Sequence, residues 1–216
     1  MPIEVFDYRR DVKNVFISPT VRGRFLRMEP GEIGPRHSHD LGDELFLILQ
    51  GQCEFEIDGD RAVLGPGQLC VARVNQLHEV RVVGDEPMTM FLTVTPHLEP
   101  THTFWDDDGR KLPPVYAHAT RAERLAAGTP AGSIADLIRR FLQAAQTLAA
   151  TATAHATAQQ TNIPQLDATL DSDTPSKVAL DAVWYEFAKL YEPLRELEST
   201  WNEIAARVMD QSEGHS

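Results

Sequence analysis

A chain of 216 residues, 42% hydrophobic and 24% charged, is long enough for one substantial core and has the composition of an ordinary globular protein. Its formal net charge of -12 is shared evenly, with 10 basic and 16 acidic residues up to residue 100 and the same numbers after it. Neither half has the basic excess that phosphate backbones or anionic membranes attract, so nucleic-acid and membrane partners are set aside. The first residues, MPIEVFDYRRDVKN, hold early charges and no apolar core of signal length, and no later apolar run approaches a membrane span. A cytoplasmic location is therefore expected. Cys53 and Cys70 are the two cysteines, each in a strand-like run, and they are expected to be unpaired core thiols.

From Ile3 to about Pro96 the pattern is all-β. Short runs of Val, Ile, Phe and Leu alternate with Gly, Pro, Asp and Asn at the spacing of a sandwich or barrel. VRGRFLRM (21 to 28), ELFLIL (44 to 49) and CEFEI (53 to 57) read as strands, followed by RAVL (61 to 64), QLCVA (68 to 72), HEVRVV (78 to 83) and MTMFLTV (88 to 94). Asp58 and Gly59 tolerate the positive φ of a tight hairpin turn. Cys53, Phe55 and Ile57 alternate with Glu54 and Glu56, which gives that strand one dry and one wet face.

The stretch 31 to 51, GEIGPRHSHDLGDELFLILQG, carries the chemistry. His37 and His39 are one residue apart, so in an extended strand they share a face and enter one cavity. Gly42 and Asp43 permit a turn, after which Glu44, Phe46 and Ile48 point inward. Two imidazoles and a carboxylate make most of a divalent metal site, and His78, on a later strand, supplies a third imidazole. By alternation Phe46, Ile48, Phe55 and Met90 are the expected apolar pocket residues. Arg24 reads equally as a clamp for a substrate carboxylate and as a solvated surface charge.

These residues fall in two recurrent patterns. The first is a glycine, five residues, HxH, four residues, a glutamate, six residues and a glycine; Gly31, His37, His39, Glu44 and Gly51 occupy it fully. The second matches at Gly67 and His78, with Arg73, Asn75 and Val82 where proline, glycine and asparagine are usual. Over roughly residues 20 to 95 the chain resembles a metal-binding cupin. The resemblance implies a double-stranded β-helix, or jelly-roll barrel, that holds one divalent transition metal between its sheets, whether Fe, Mn, Ni, Zn or Cu. It also implies a metal-dependent enzyme acting on a small organic molecule, in the first instance dioxygenase-like. A metal-assisted isomerase or decarboxylase is the alternative, and it requires a general acid or base that the sequence does not identify. A non-catalytic binding module with a helical assembly tail is the third reading.

Residues 97 to 118 are rich in Pro, Asp and Gly and read as an ordered connector, with a short hairpin about Asp108 and Gly109. His97 and His102, in that connector, are expected at the surface. Phe104 and Trp105 are expected to pack over the barrel or close one end of its pocket. The period then changes. Thr129 and Pro130, or alternatively Ser133, open a helix with Ile134, Leu137, Ile138, Phe141, Leu142, Ala145 and Leu148 on one face. Residues 161 to 176 are expected to be a second connector. In the last helix Leu180, Val183, Phe187, Leu190, Leu194, Leu197, Trp201, Ile204 and Val208 form an a/d stripe, interrupted by Pro193 with a break expected near Tyr191 and Glu192. The chain is thus divided into a cupin barrel at 1–100, a connector at 101–128 and a helical hairpin or bundle at 129–213, and the stripe suggests a homodimer.

Overall fold

The computed structural model describes residues 2–121, 123, 126, 132–170 and 174–212, the last five as backbone. By its internal contacts the chain divides into two compact units, Met1–Pro130 with Ala205–Ser216, and Ala131–Ile204. Among the described residues no helix is long and apolar enough to cross a membrane.

The first unit is a jelly roll of two antiparallel sheets. Its strands are β1 (Asn14–Ile17), β2 (Arg22–Met28), β3 (His37–Ser38), β4 (Asp43–Gln50), β5 (Gln52–Ile57), β6 (Asp60–Leu64), β7 (Leu69–Ala72), β8 (His78–Val83), β9 (Met88–Thr95) and β10 (Thr103–Phe104). One sheet runs β1-β2-β9-β4-β7 and the other β10-β3-β8-β5-β6. Each strand read from alternation is present, and β10 comes from the segment expected as a connector: it pairs with β3, setting Phe104 opposite His37. The short hairpin after it is closed by the Trp105 to Lys111 bridge and by Asp106, whose carboxylate accepts from the amides of Asp108 and Arg110.

The dry faces meet between the sheets. Ile48, Cys53, Phe55, Met88 and Met90 are fully buried there, while Glu54 and Glu56 stay on the outer face. Burying a side chain of the size of Ile, Met or Phe contributes about 1.5–3 kcal/mol, so this cluster is the main source of the unit's stability. Cys53 and Cys70 are free thiols, and burial pushes both up to about 12, which leaves them protonated and inert.

Two turns fix the strands that matter for the site. Gly51 joins β4 to β5 at φ 69°, where a Cβ would fall 2.5 Å from the Pro87 carbonyl oxygen, so both conformation and space demand glycine. Asn75 stands where glycine is usual and takes the same left-handed conformation, φ 65°. Asparagine tolerates that region better than other side chains, and the turn keeps its hold because the Asn75 amide donates to the His39 carbonyl at 2.8 Å.

The second unit is a helical hairpin. α1 (Ile134–Ala168) runs antiparallel to α2 (Lys177–Ala188) and α3 (Tyr191–Ser212), as the pairs Asn162 with Ala182, Gln159 with Val183, His155 with Phe187 and Phe141 with Trp201 show. Ser133 is the N-cap, accepting from the Ala135 amide at 3.1 Å. The alternative cap at Thr129 and Pro130 lies outside the described residues, as does the side chain of Val208.

α1 continues to Ala168, so the first half of the connector expected from 161 is helix. Its Ala, Gln and Thr residues permit this, and the hydroxyls of Thr147, Thr151, Thr153 and Thr157 each return to the carbonyl four residues earlier. The break between α2 and α3 falls at Lys189 and Leu190, slightly upstream of the expected place. Pro193 has no N–H for the carbonyl four positions back, that of Lys189, and the ladder stops there.

Candidate metal centre

Four ligand-type side chains converge between the sheets of the β unit. The ligand atoms of His37, His39, Glu44 and His78 all lie within 4.8 Å of one another. His37, on β3, sits directly across the ladder from His78 on β8. His39 follows β3 on the same face. Glu44 comes from β4, which belongs to the opposite sheet; the carboxylate therefore faces the histidines across the interior. His39, Glu44 and His78 are buried and His37 nearly so.

Each imidazole is oriented through its Nδ1. His37 donates to the Pro35 carbonyl at 2.7 Å, His78 to the Gln76 carbonyl at 2.9 Å, and His39 to the Thr101 carbonyl. A carbonyl oxygen only accepts, so each Nδ1 carries a hydrogen, and a ring in its neutral form presents its lone pair at Nε2. Those three Nε2 atoms point at the Glu44 Oε2 from 2.7 Å for His39, 3.2 Å for His78 and 3.8 Å for His37. The His37 Nε2 is buried and has no hydrogen-bond partner. Lone pairs gathered around a carboxylate repel one another unless a cation sits among them. This donor set, with second nitrogens tied to backbone, suits a divalent transition metal.

When they carry a proton, the same Nε2 atoms donate to the carboxylate. Burial alone would raise the Glu44 carboxyl, but its contacts with the three imidazoles outweigh burial and hold it well below the usual carboxylate range. Burial lowers His37, against the opposing pull of Glu44. Arg22 is 2% exposed and places its Nη2 3.8 Å from the other Glu44 oxygen, with Nη1 3.3 Å from Asn14 Oδ1.

A cavity of about 300 Å³ opens against this cluster. Of the expected pocket residues Phe46 and Met90 line it, whereas Ile48 and Phe55 are spent inside the core cluster. Alternation placed all four inward correctly, but which inward residues border a void depends on how the opposite sheet packs.

His102 is the residue the sequence reading missed. It is buried, not at the surface, and lines the cavity with its ring 4.6 Å from that of His37 and 5.0 Å from that of His39. Burial first, then the neighbouring imidazoles, holds it well below the usual histidine value. Its Nδ1 pairs with the Thr101 hydroxyl at 2.8 Å, so Thr101 positions both His102 and, through its carbonyl, His39. Phe104 stacks against His102 and packs on His37, which places it at the site as expected. Trp105 instead donates to Ser38 Oγ at 3.1 Å. His97 is buried as well, at 1% exposure, but it does not line the cavity. No periodicity marks residues 97 to 104, and only the pairing of β10 with β3 brings His102 into place.

Comparison with known proteins reaches the same stretch. The family model described as a cupin domain matches residues 24–95, which contain all four donors. The chain is similar to the polyketide synthase CurC of Streptomyces cyaneus, 28% identical over 105 residues, covering 45% of this chain and 68% of that protein. It is also similar to the pectin degradation protein KdgF of Dickeya dadantii, 34% identical over 50 residues, or 23% of this chain, and spans less than half of that relative, 46%. Among solved structures, a double-stranded β-helix protein from Klebsiella pneumoniae aligns over 44% of this chain and 91% of its own, at 20% identity and a TM-score of 0.42. KdgF from Halomonas sp. aligns over 40% and 78%, at 24% identity and a TM-score of 0.38.

Proposed function

We propose that the chain, whose residues 24–95 match the family model described as a cupin domain, is a metal-dependent enzyme acting on a small organic molecule. His37, His39, Glu44 and His78 would hold one divalent transition metal, from the group Fe, Mn, Ni, Zn and Cu. The observation that carries this reading is the convergence of three backbone-tethered imidazoles on one buried carboxylate beside a cavity. When bound, such an ion supplies Lewis-acid or redox chemistry at the cavity wall.

The reaction we favour is proton transfer, as in an isomerase or decarboxylase. That class needs an acid or base beside the ligands, and His102 lies there with Nδ1 engaged by Thr101 and Nε2 available to exchange a proton with a molecule in the cavity. A dioxygenase draws its support from the donor set alone, which both readings share.

The experiment is turnover of a panel of diketones, catechols, flavonols and small keto acids by the metal-loaded protein, followed by NMR with and without dioxygen. Product formed without dioxygen, and lost in His102→Ala at unchanged metal content, is the expected outcome. Strict dioxygen dependence would establish the oxygenase instead, and metal binding without turnover would leave a binding module. We also propose a homodimer formed through the helical hairpin, because Leu180 and Phe187 of the a/d stripe remain 45% and 39% exposed within one chain.

A further inference from the structure

The inward face of β2 reads Arg22, Arg24, Leu26, Met28, and all four side chains line the cavity. In the antiparallel pairing with β9 they stand beside Val94, Leu92, Met90 and Met88 respectively, so the wall is cationic at one end and apolar along the rest. Two guanidinium groups on the inner face of a sandwich strand are unusual, because arginine is rarely buried without a partner.

The partners available satisfy them only in part: Arg22 reaches Asn14 and Glu44 through its two Nη atoms. The Nε atoms of both Arg22 and Arg24 are buried and make no hydrogen bond, and Arg24 forms no ion pair among the described residues. The carboxylates that border the cavity are already engaged. Glu44 faces the imidazoles, Glu32 accepts from the Glu29 amide at 2.8 Å, and Glu79 accepts from Arg81 at 3.0 Å. The cavity wall thus carries two guanidinium groups whose Nε donors have no acceptor, one of them, Arg24, with no carboxylate paired to it among the described residues.

We infer that the cavity takes a small carboxylic acid with an apolar body, its carboxylate held by Arg24 with Arg22 behind it and its body against Leu26, Met28, Phe46 and Met90. A guanidinium fork matches a carboxylate in geometry as well as charge, and the volume of about 300 Å³ limits the body to a short chain or a single ring. This inference rests on the cavity being the substrate site of the proposed enzyme.

Benzoate and its neutral isostere benzamide are the probes, titrated calorimetrically into metal-loaded and metal-free protein. Benzoate is expected to bind at least about tenfold more tightly than benzamide, the discrimination that a charge-assisted hydrogen bond supplies. It should persist without metal, vanish in Arg24→Gln and weaken several-fold in Arg24→Lys, which keeps the charge but not the fork. Arg61→Gln, on a side chain paired with Glu56 on the outer face, should behave as wild type.

Equal binding of the two probes, no saturation by benzoate to about 10 mM, or discrimination that survives in Arg24→Gln would overturn the assignment. Discrimination that disappears on metal removal would place the carboxylate on the cation and overturn it too. A wild-type protein that takes up no divalent ion, by elemental analysis, would defeat the enzyme reading while leaving the arginine subsite to be judged on the metal-free titration.

Discussion

The β unit and the helical hairpin bury their apolar residues to very different degrees. In the β unit Ile48, Cys53, Met88 and Met90 have no exposed surface, because the dry face of each sheet is covered by the other. Between residues 131 and 204 of the helical unit, Leu137 and Ala144 are the buried apolar residues among those described, while Trp184 is 55% exposed and Tyr185 65%. A strand's alternation closes once a second sheet is present, and one chain provides both. A two-helix hairpin covers one side of each helix and leaves the rest of its apolar stripe in need of another surface. The β unit is consequently the one able to hold polar donors in fixed places, and the four ligand-type residues are all there.

The sharpest way to break this contrast is to remove a donor. His78→Ala should leave the sandwich folded, since an alanine fits any strand position, while divalent metal content falls at least tenfold, the order expected when even an outer-shell partner of a metal ligand is lost. Elemental analysis and far-ultraviolet circular dichroism on the same sample check both halves of that statement. Wild-type occupancy in the variant would remove His78 from the site and detach the rigid β unit from the chemistry assigned to it.

Much of the β unit was legible in the sequence for a physical reason. Alternation fixes which side of a strand is dry, and the spacing of His37, His39 and Glu44 required only one strand and one turn to be right. What escaped were relations between sheets. Glu44 reaches the histidines from the opposite sheet, His102 arrives just ahead of a strand two residues long, and the inward register of Arg22 and Arg24 becomes meaningful only when the void they border is seen. In the helical region the stripe and the effect of Pro193 were readable. The length of α1 was not, since a Thr- and Ala-rich segment with an internal Pro164 has too few large side chains to announce its helix.

A second test compares one aromatic from each unit. Phe55→Ala empties a site with 2% exposure and is expected to cost about 3–5 kcal/mol. Phe187→Ala, at 39% exposure, should cost about 1 kcal/mol or less within a single chain, as surface substitutions do. Amide exchange resolved by segment reads each effect in its own unit, β5 and β8 for the first and α2 for the second. If the proposed homodimer covers the stripe, Phe187→Ala should also shift the sedimentation coefficient toward that of the single chain. A loss as large as that of Phe55 at protein concentrations where the chain is monomeric would mean the hairpin is closed in itself, and the contrast between the units would fail.

Acid provides the mildest probe, because the groups held well below their usual range, Glu44 and His102, lie in the β unit. In metal-free protein His37 and His102 titrate below the ordinary histidine value, first through burial, so the folded state refuses protons that the unfolded chain accepts. Stability from these groups is complete above about pH 6.5, the ordinary histidine value, and declines as the pH falls below it. Glu44, held well below its usual range, adds stability that is present above about pH 4.5 and is lost as the pH drops toward its lowered folded value. Both contributions have the same sign, so acidification weakens the β unit in two successive stages. Exchange in β4 and β8, taken relative to the intrinsic amide rate at each pH, should therefore accelerate between about pH 6.5 and 5, before any change in α1 attributable to these groups. Bound metal should delay the first stage, since an imidazole that coordinates an ion must lose it before it can protonate. Equal acceleration in α1 and β8 over that interval would show that the acid response does not originate at the buried histidines.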